Sequence, residues 1–110
     1  MVQSKTELFE KEFAINASYF KALAHPARLQ ILKFLAESKS CITGDISDEL
    51  PLGRTTVNQH IKELKEIGLI RGHIEGVKTN YCLNPDKVDE IRKALQLFFE
   101  NLNTQNYKCK

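Results

Sequence analysis

A cluster of polar side chains near the middle of the chain has the composition needed to read nucleic-acid bases. Arginine, threonine, asparagine and glutamine recur within residues 54–62 of this 110-residue sequence. Asparagine and glutamine can form two hydrogen bonds with an adenine edge, arginine can do so with guanine, and threonine can contact a phosphate or a thymine methyl group. A solvated helix surface carries the same residue types, so the cluster alone leaves both interpretations open.

The segment that carries these side chains is predicted to be an amphipathic helix. From Val57 onward, apolar residues recur at i, i+4, i+7 and i+10, which is the spacing of one buried helix stripe. Gly68 is suited to the left-handed residue that ends such a helix. The predicted exposed face comprises Arg54, Thr55, Asn58, Gln59, Lys62 and Glu66.

The neighbouring segments predict a helix-turn-helix followed by a hairpin. A short helix over 44–50 and the tight turn 51–53 come before the amphipathic helix, and together they form a helix-turn-helix over about residues 43–67. The periodicity then becomes that of strands, which predicts a hairpin, or wing, over about residues 69–83. Its cations at 71 and 78 could reach phosphates, although they are equally compatible with a solvated loop.

Longer apolar helices are predicted at the two ends of the chain, over about residues 6–23 and 85–102. A further helix follows His25-Pro26, because the residue before a proline is pushed out of the helical region. The predicted fold is therefore mostly α with a small β-hairpin, in one domain spanning 1–110. The end helices carry more apolar surface than so small a monomer can cover, so we expect them to form a dimer interface. The expected interface residues are Leu8, Phe9, Phe13, Leu95, Phe98, Phe99 and Leu102.

Composition narrows the function classes. Hydrophobic residues make up 42% and charged residues 27% of the chain, which is typical of a folded globular protein. The sequence has neither a membrane-length apolar run nor the apolar stretch of a signal peptide, so we expect a cytoplasmic protein that does not bind membranes. A net charge of +2 does not by itself indicate nucleic-acid binding. We find no carboxylate pair, phosphate-binding glycine loop or nucleophile–base arrangement, and therefore expect no enzyme.

The three cysteines are an odd number without a Cys-x-x-Cys pair, which predicts reduced thiols in a cytosolic protein. Cys41 precedes the predicted short helix and Cys109 lies between two lysines, so these two are candidates for a redox role. Cys82 lies in a predicted strand, where we expect it to pack as a small hydrophobic residue. The alternative is that all three thiols are incidental.

Three runs of sequence together resemble a known family. FKALAHPARLQILKFL, DISDELPLGRTTVNQHIKELKEIGLI and EGVKTNYCLN, within residues 18–84, resemble the ArsR/SmtB family of winged-helix repressors. The resemblance implies a homodimer, joined through the first and last helices, that binds an imperfect palindrome in double-stranded DNA and represses transcription. The resemblance implies DNA contacts at Thr55, Thr56, Asn58, Gln59, His60, Gly76 and Lys78, and from the residue types we also expect contacts at Arg54, Lys62 and Arg71. His60 could instead brace a neighbouring helix, and we expect His25 to be structural.

The family's metal sites are not reproduced in this chain. The positions of its Cys-x-Cys motif fall on Ile42 and Gly44, and the last helix contains no histidine. Since zinc prefers nitrogen and sulfur ligands, we expect neither a metal nor another cofactor. Two alternatives to a plain DNA-binding repressor remain. One is a winged-helix module that binds proteins without specific DNA binding, and the other is a thiol-based, redox-responsive repressor.

Overall fold

The computed structural model describes residues 9–43, 50–75 and 78–109, and the side chains of all of these except 43, 73–75, 78 and 79. The described residues form four helices and three strands. In chain order they are α1 (Lys11–Leu23), α2 (Pro26–Ser38), β1 (Ile42–Thr43), α3 (Arg54–Glu66), β2 (Ile70–Glu75), β3 (Lys78–Leu83) and α4 (Pro85–Asn101). Residues 44–49 of the predicted short helix lie outside the described residues, and Leu50 at its end is buried in the core.

The break between α1 and α2 falls where the sequence predicts it. α1 ends at Leu23 and α2 begins at Pro26, with His25 in an extended conformation between them. Nδ1 of His25 accepts a hydrogen bond from the backbone N–H of Ala27 over 3.0 Å, so this side chain caps α2. The structural role predicted for His25 is confirmed.

The start of α1 differs from the prediction. The helix begins at Lys11, with Glu10 as its N-cap, and not near residue 6. Phe9 is 64% exposed, so a further helical turn at this end would gain no packing from it. Because a terminal turn needs tertiary contacts to offset its conformational entropy, helical spacing alone overestimates the length of this helix.

The strands form an antiparallel sheet in the order β1-β3-β2. β2 and β3 pair from Ile70 opposite Leu83 to Glu75 opposite Lys78, which confirms the hairpin and extends it into the predicted loop. The two-residue strand β1 adds Ile42 opposite Tyr81 on the other side of β3. This pairing of β1 with β3 was not predicted from the sequence.

The chain reverses sharply between α3 and the sheet. Gly68 has a φ of 89°, in the left-handed region where a side chain is strained. The N–H of Gly68 donates to the carbonyl of Lys65, and the N–H of Leu69 donates to the carbonyl of Leu64. Both N···O distances are 3.0 Å. This pair of hydrogen bonds is the Schellman ending of a helix, and it confirms the role predicted for Gly68.

The hydrophobic core lies between α2, α3 and the sheet, with Ile91 of α4 contributing from the C-terminal side. Ile31, Val57, Leu64 and Ile70 are fully or almost fully buried. All four come from α2, α3 and β2, so the core fixes α3 against both a helix and the hairpin. Ridges of large aliphatic side chains in such a core leave little freedom for α3 to rotate.

Candidate nucleic-acid interface

α3 presents a continuous polar surface from its first residue. Its buried stripe consists of Val57, His60, Ile61 and Leu64. Since these side chains face the core, the remaining positions of the first two turns point to solvent. The predicted DNA-contacting residues that are exposed on this helix are Arg54, Thr55, Thr56, Asn58, Gln59 and Lys62.

Charge is distributed unevenly along α3. Its first turn contains Arg54 and no acidic residue, whereas Glu63 and Glu66 lie in the second half. The N-terminal end of a helix also carries the positive end of the helix dipole. A phosphate backbone would therefore be attracted to the first turns of α3 and less so to its last turn.

A groove separates α3 from the sheet. It has a volume of about 350 Å³, and Gly72 of β2 lies beside it, opposite Tyr81 of β3. A Cβ atom at Gly72 would come within 3.3 Å of both the Tyr81 ring and Nζ of Lys65, so glycine permits these two side chains to approach the sheet. Sequence reasoning did not identify Lys65 or Tyr81. The residues that line the groove are Asn58, Ile61, Lys62, Lys65, Glu66 and Tyr81.

The wing is formed by β2, β3 and the two residues that connect them. Arg71 is exposed on β2, where a phosphate could reach it. Lys78 is the first residue of β3, opposite Glu75, but the surroundings of its side chain lie outside the described part of the chain. Gly76 is likewise outside the described residues. Of the three wing positions predicted to contact DNA, the structure therefore describes the side chain of Arg71.

His60 is held against α2. Its side chain is 9% exposed, and its Nδ1 accepts a hydrogen bond from Nε of Arg28 over 3.1 Å. The ring of His25 lies 4.2 Å away, centroid to centroid. These contacts favour the bracing alternative for His60 over direct contact with DNA.

The surroundings of His60 disfavour its charged form. Burial lowers the pKa of His60 below its ordinary value near 6.5. His25 and the positive Arg28 lower this pKa further, and Glu63 opposes them. A neutral His60 keeps the Nδ1 lone pair available for Arg28, because a protonated imidazole has no acceptor.

Arg28 connects His60 to the end of α1. Its Nη1 donates to the carbonyl oxygens of Ala22 over 3.1 Å and Lys21 over 3.4 Å. Both carbonyls belong to the last turn of α1, and that of Lys21 also accepts the N–H of Ala24. One guanidinium therefore ties α1, α2 and α3 together, a role that the sequence analysis did not assign to Arg28.

Large apolar side chains remain exposed along α1 and α4 and at the residues beside them. Edge-to-face contacts connect Phe20 of α1 with Phe98 and Phe99 of α4, with ring centroids 6.2 and 6.3 Å apart. Leu95 and Phe98 are half-buried, and Leu8 lies outside the described residues. Sequence reasoning did not assign Ile15, Phe20 or Leu97 to this surface. Ile15 and Leu97 lie together beside a groove on the other side of this helix pair, so we define the end-helix face by the remaining exposed residues: Phe9, Phe13, Phe20, Phe99 and Leu102.

The expectation of reduced thiols is wrong for two of the three cysteines. Cys41 and Cys82 form a disulfide bond, with their Cα atoms 4.4 Å apart, while Cys109 is free and exposed. Cys82 is therefore not merely a small packing residue. The reason is the pairing of β1 with β3, which brings Cys41 next to Cys82 across 41 positions of sequence.

The described residues contain neither a metal-binding cluster nor a membrane-spanning helix. Within them, no three histidine, cysteine or acidic side chains lie close enough together to hold a metal ion. None of their helices combines the length and apolarity needed to cross a bilayer.

A hairpin wing directly after a helix with an exposed polar face, as in α3, β2 and β3, is typical of the winged-helix class. Residues 23–73 match the family model described as a helix-turn-helix domain. The chain is 40% identical over 79 residues to an uncharacterized HTH-type transcriptional regulator of Methanocaldococcus jannaschii, covering 72% of this chain and 89% of that protein. It is 34% identical over 80 residues to the transcriptional repressor PagR of Bacillus anthracis, covering 73% and 80% respectively.

A solved structure of a transcriptional regulator has a similar fold. The chain superposes on an ArsR-like transcriptional regulator from Rhodococcus sp. RHA1 with a TM-score of 0.68 and 21% identity, covering 84% of this chain and 87% of the other. The chain belongs to the HTH-type transcriptional regulators, and its fold is that of an ArsR-like regulator. The family resemblance seen in the sequence is confirmed.

Proposed function

We propose that this protein is a homodimeric, sequence-specific repressor that acts in the cytoplasm by binding an imperfect palindrome in double-stranded DNA, without catalysis. The polar first half of α3 is the observation that carries this proposal. Its exposed Asn58 and Gln59 have the hydrogen-bonding groups that discriminate base edges in the major groove. Arg54 and Lys62 supply positive charge for phosphates on the same helix.

The end-helix face supports the dimer. Phe13, Phe99 and Leu102 are each about half exposed, and a monomer gains nothing by presenting such side chains to water. A two-fold axis through this face would place two copies of α3 on one side of a duplex. Half-sites about one DNA turn apart, roughly 34 Å, then suit the pair. We propose that the protein represses transcription and does not activate it, because it is similar to PagR, which is named as a repressor.

The test is fluorescence anisotropy of the purified protein on DNA from upstream of its own gene and on a scrambled duplex. Both are measured at about 150 mM salt, because low salt exaggerates non-specific binding. We expect a preference of roughly a thousandfold or more for a specific site. If both duplexes bind equally and weakly, a genome-wide selection of bound fragments decides whether the operator lies elsewhere. A selection that enriches no sequence would contradict the proposal and favour the protein-binding alternative.

Gln59→Ala separates base reading from backbone contact. We expect it to reduce discrimination between operator variants while leaving affinity for random DNA almost unchanged. Gln96→Ala is the matched control, because Gln96 is an exposed glutamine of α4 that bonds Glu100 over 3.1 Å. Equal losses on operator and random DNA would assign Gln59 to the DNA backbone.

Lys78→Ala tests the wing in the same assay. We expect weaker binding to both duplexes and a salt slope reduced by about one unit, since one phosphate contact is lost. Lys93→Ala, at an exposed position of α4, serves as the control. An unchanged slope for Lys78→Ala would remove that side chain from the proposed interface.

A further inference from the structure

The Cys41–Cys82 disulfide continues the ladder between β1 and β3. Ile42 lies opposite Tyr81 and Thr43 opposite Asn80, so one further step along the ladder places Cys41 opposite Cys82. Their Cα separation of 4.4 Å is that of directly opposed residues in an antiparallel pair. The register of β1 against β3 therefore places the two cysteines directly opposite each other whenever β1 is paired.

The bond joins two unequal parts of the sheet. β2 and β3 pair over six positions, whereas β1 contributes only two. A two-residue strand forms few backbone hydrogen bonds, so its attachment depends strongly on any covalent link. β1 lies on the chain segment that leads to α3 and β3 belongs to the wing, so the disulfide ties that segment to the wing.

The two sulfur atoms differ in their surroundings. Cys41 is exposed and Cys82 is half-buried, so a reagent in solution meets Cys41 first. On its other side, Cys82 is paired with Arg71 of β2. Directly opposed residues project from the same face of a sheet, and a nearby cation favours the thiolate over the thiol. The row Cys41, Cys82 and Arg71 thus places a reactive pair of cysteines beside a cation predicted to contact DNA.

We propose that Cys41 and Cys82 form a reversible redox pair that adjusts DNA binding to the balance between small-molecule thiols and disulfides. This inference rests on the proposed DNA-binding function. A DNA-binding protein works in the compartment of the genome, where small thiols reduce most disulfides. A disulfide in such a protein therefore reports oxidation and is not a permanent staple.

The oxidant is a small-molecule disulfide such as oxidised glutathione. The Cys41 thiolate attacks one sulfur of the reagent, a mixed disulfide forms, and one glutathione thiolate leaves. The Cys82 thiol then loses its proton and attacks the sulfur of Cys41, which releases the second glutathione as a thiolate. Two protein thiols and one oxidised glutathione are converted to one protein disulfide and two reduced glutathione molecules.

The oxidised form is the tighter DNA binder. With the bond in place, the wing and the segment before α3 are already held together, so less conformational freedom is lost on binding. In the reduced form, the two-residue strand can separate from β3 and must be reordered on DNA. Oxidation thus strengthens repression, and reduction relieves it.

The experiment uses the full chain in glutathione buffers of graded composition. Alkylation followed by mass spectrometry counts free thiols at each composition, and anisotropy measures affinity for operator DNA in the same buffers. We expect the thiols of Cys41 and Cys82 to disappear together, and affinity to rise roughly fivefold or more along the same curve. The double variant Cys41→Ser with Cys82→Ser should remain at the reduced affinity in every buffer. Cys109→Ser, which removes the free exposed thiol, should follow the wild type.

Several results would overturn the inference. They are equal affinity of both forms, tighter binding by the reduced form, pairing of Cys41 with Cys109, and a bond that persists in every reducing buffer. Reduced wild-type protein provides a second reference in case the double variant folds poorly. Since the thiol count does not depend on DNA, specific binding with no redox dependence refutes only the switch. Absence of specific binding in both forms refutes the proposed function and the switch together.

Discussion

Nε of Arg28 donates a hydrogen bond to Nδ1 of His60, with the two nitrogen atoms 3.1 Å apart and the two residues 32 positions apart in the sequence. The same guanidinium donates to Ala22 and Lys21 at the end of α1. α1 carries part of the end-helix face. His60 lies on the buried side of α3, and the opposite side of α3 is the polar surface proposed to contact DNA. One side chain therefore lies between the surface proposed for dimerisation and the surface proposed for DNA.

Replacing Arg28 by methionine should destabilise the fold. The change keeps most of the aliphatic chain but removes the donors to His60 and to the α1 carbonyls, for which we expect a loss of about 1–3 kcal/mol. In a domain of this size the melting temperature falls by about 4–8 °C per kcal/mol. Urea unfolding at fixed protein concentration measures the loss. Arg92→Met is the control, because the pair of Arg92 with Asp89 is exposed and contributes less than about 1 kcal/mol. Similar losses for both variants would show that the Arg28 contacts add no stability.

The lowered pKa of His60 predicts acid sensitivity. Burial lowers this pKa first, with His25 and Arg28 acting in the same direction. The unfolded chain therefore takes up the proton at a higher pH than the folded chain. The contribution of His60 to stability is complete above pH about 6.5 and is lost as the pH falls from there through the folded pKa.

This sign can be checked by unfolding wild type and His60→Gln between pH 8 and pH 5, by urea at fixed protein concentration. The free energy of unfolding of the wild type should fall more steeply below pH about 6.5, because only the wild type has this imidazole to protonate. Above pH about 7.5 the two curves should run parallel. Parallel curves through the acidic range would mean that His60 titrates alike in both states.

Gly68→Ala should cost stability through the backbone alone. A Cβ at this position meets only the Lys87 side chain, at 3.4 Å or more, so space is available. The φ of 89° is the obstacle, and a left-handed conformation costs a non-glycine residue about 1–2 kcal/mol. Gly68→Asn is the control, because asparagine tolerates the left-handed region better than alanine and should cost less stability at the same position. Thermal unfolding distinguishes the two, and equal effects would contradict the backbone explanation.

Phe99→Glu tests the end-helix face. Phe99 is 59% exposed, so a charge there is tolerated by the monomer but would be buried in the proposed dimer. We expect analytical ultracentrifugation to show a dimer for the wild type and a monomer for the variant, with weaker operator binding by the variant. Leu29→Glu is the control, because Leu29 is 54% exposed on α2, outside that face. A wild type that remains monomeric at high concentration would contradict the proposed dimer.

Local signals in the sequence were enough for the elements that carry the site. His25-Pro26 and Gly68 act through backbone geometry within one or two residues, so the ends of α1 and α3 followed from residue type. The apolar stripe beginning at Val57 fixed which side of α3 is buried, and hence which polar residues are exposed. These features depend on neighbours close in the chain.

The features that the sequence did not reveal depend on distant contacts. Arg28 reaches His60 only because α2 and α3 pack together, and Cys41 meets Cys82 only because β1 joins β3. Neither pair has a spacing that a local rule would detect. The misplaced start of α1 has a related cause, since an apolar residue such as Phe9 has helical spacing yet makes no contact that would prolong the helix.

The junction between β3 and α4 is unusually short. β3 ends at Leu83 and α4 begins at Pro85, and the N–H of the single residue between them, Asn84, donates to the carbonyl of Leu69 over 2.9 Å. The connection has no spare residue at this point, so a residue inserted between β3 and α4 would shift α4 relative to the hairpin. Extra length, whether a tag, a longer arm or an added ligand-binding segment, is better placed in the tail after α4. For protein engineering, this one-residue junction is a position to leave untouched.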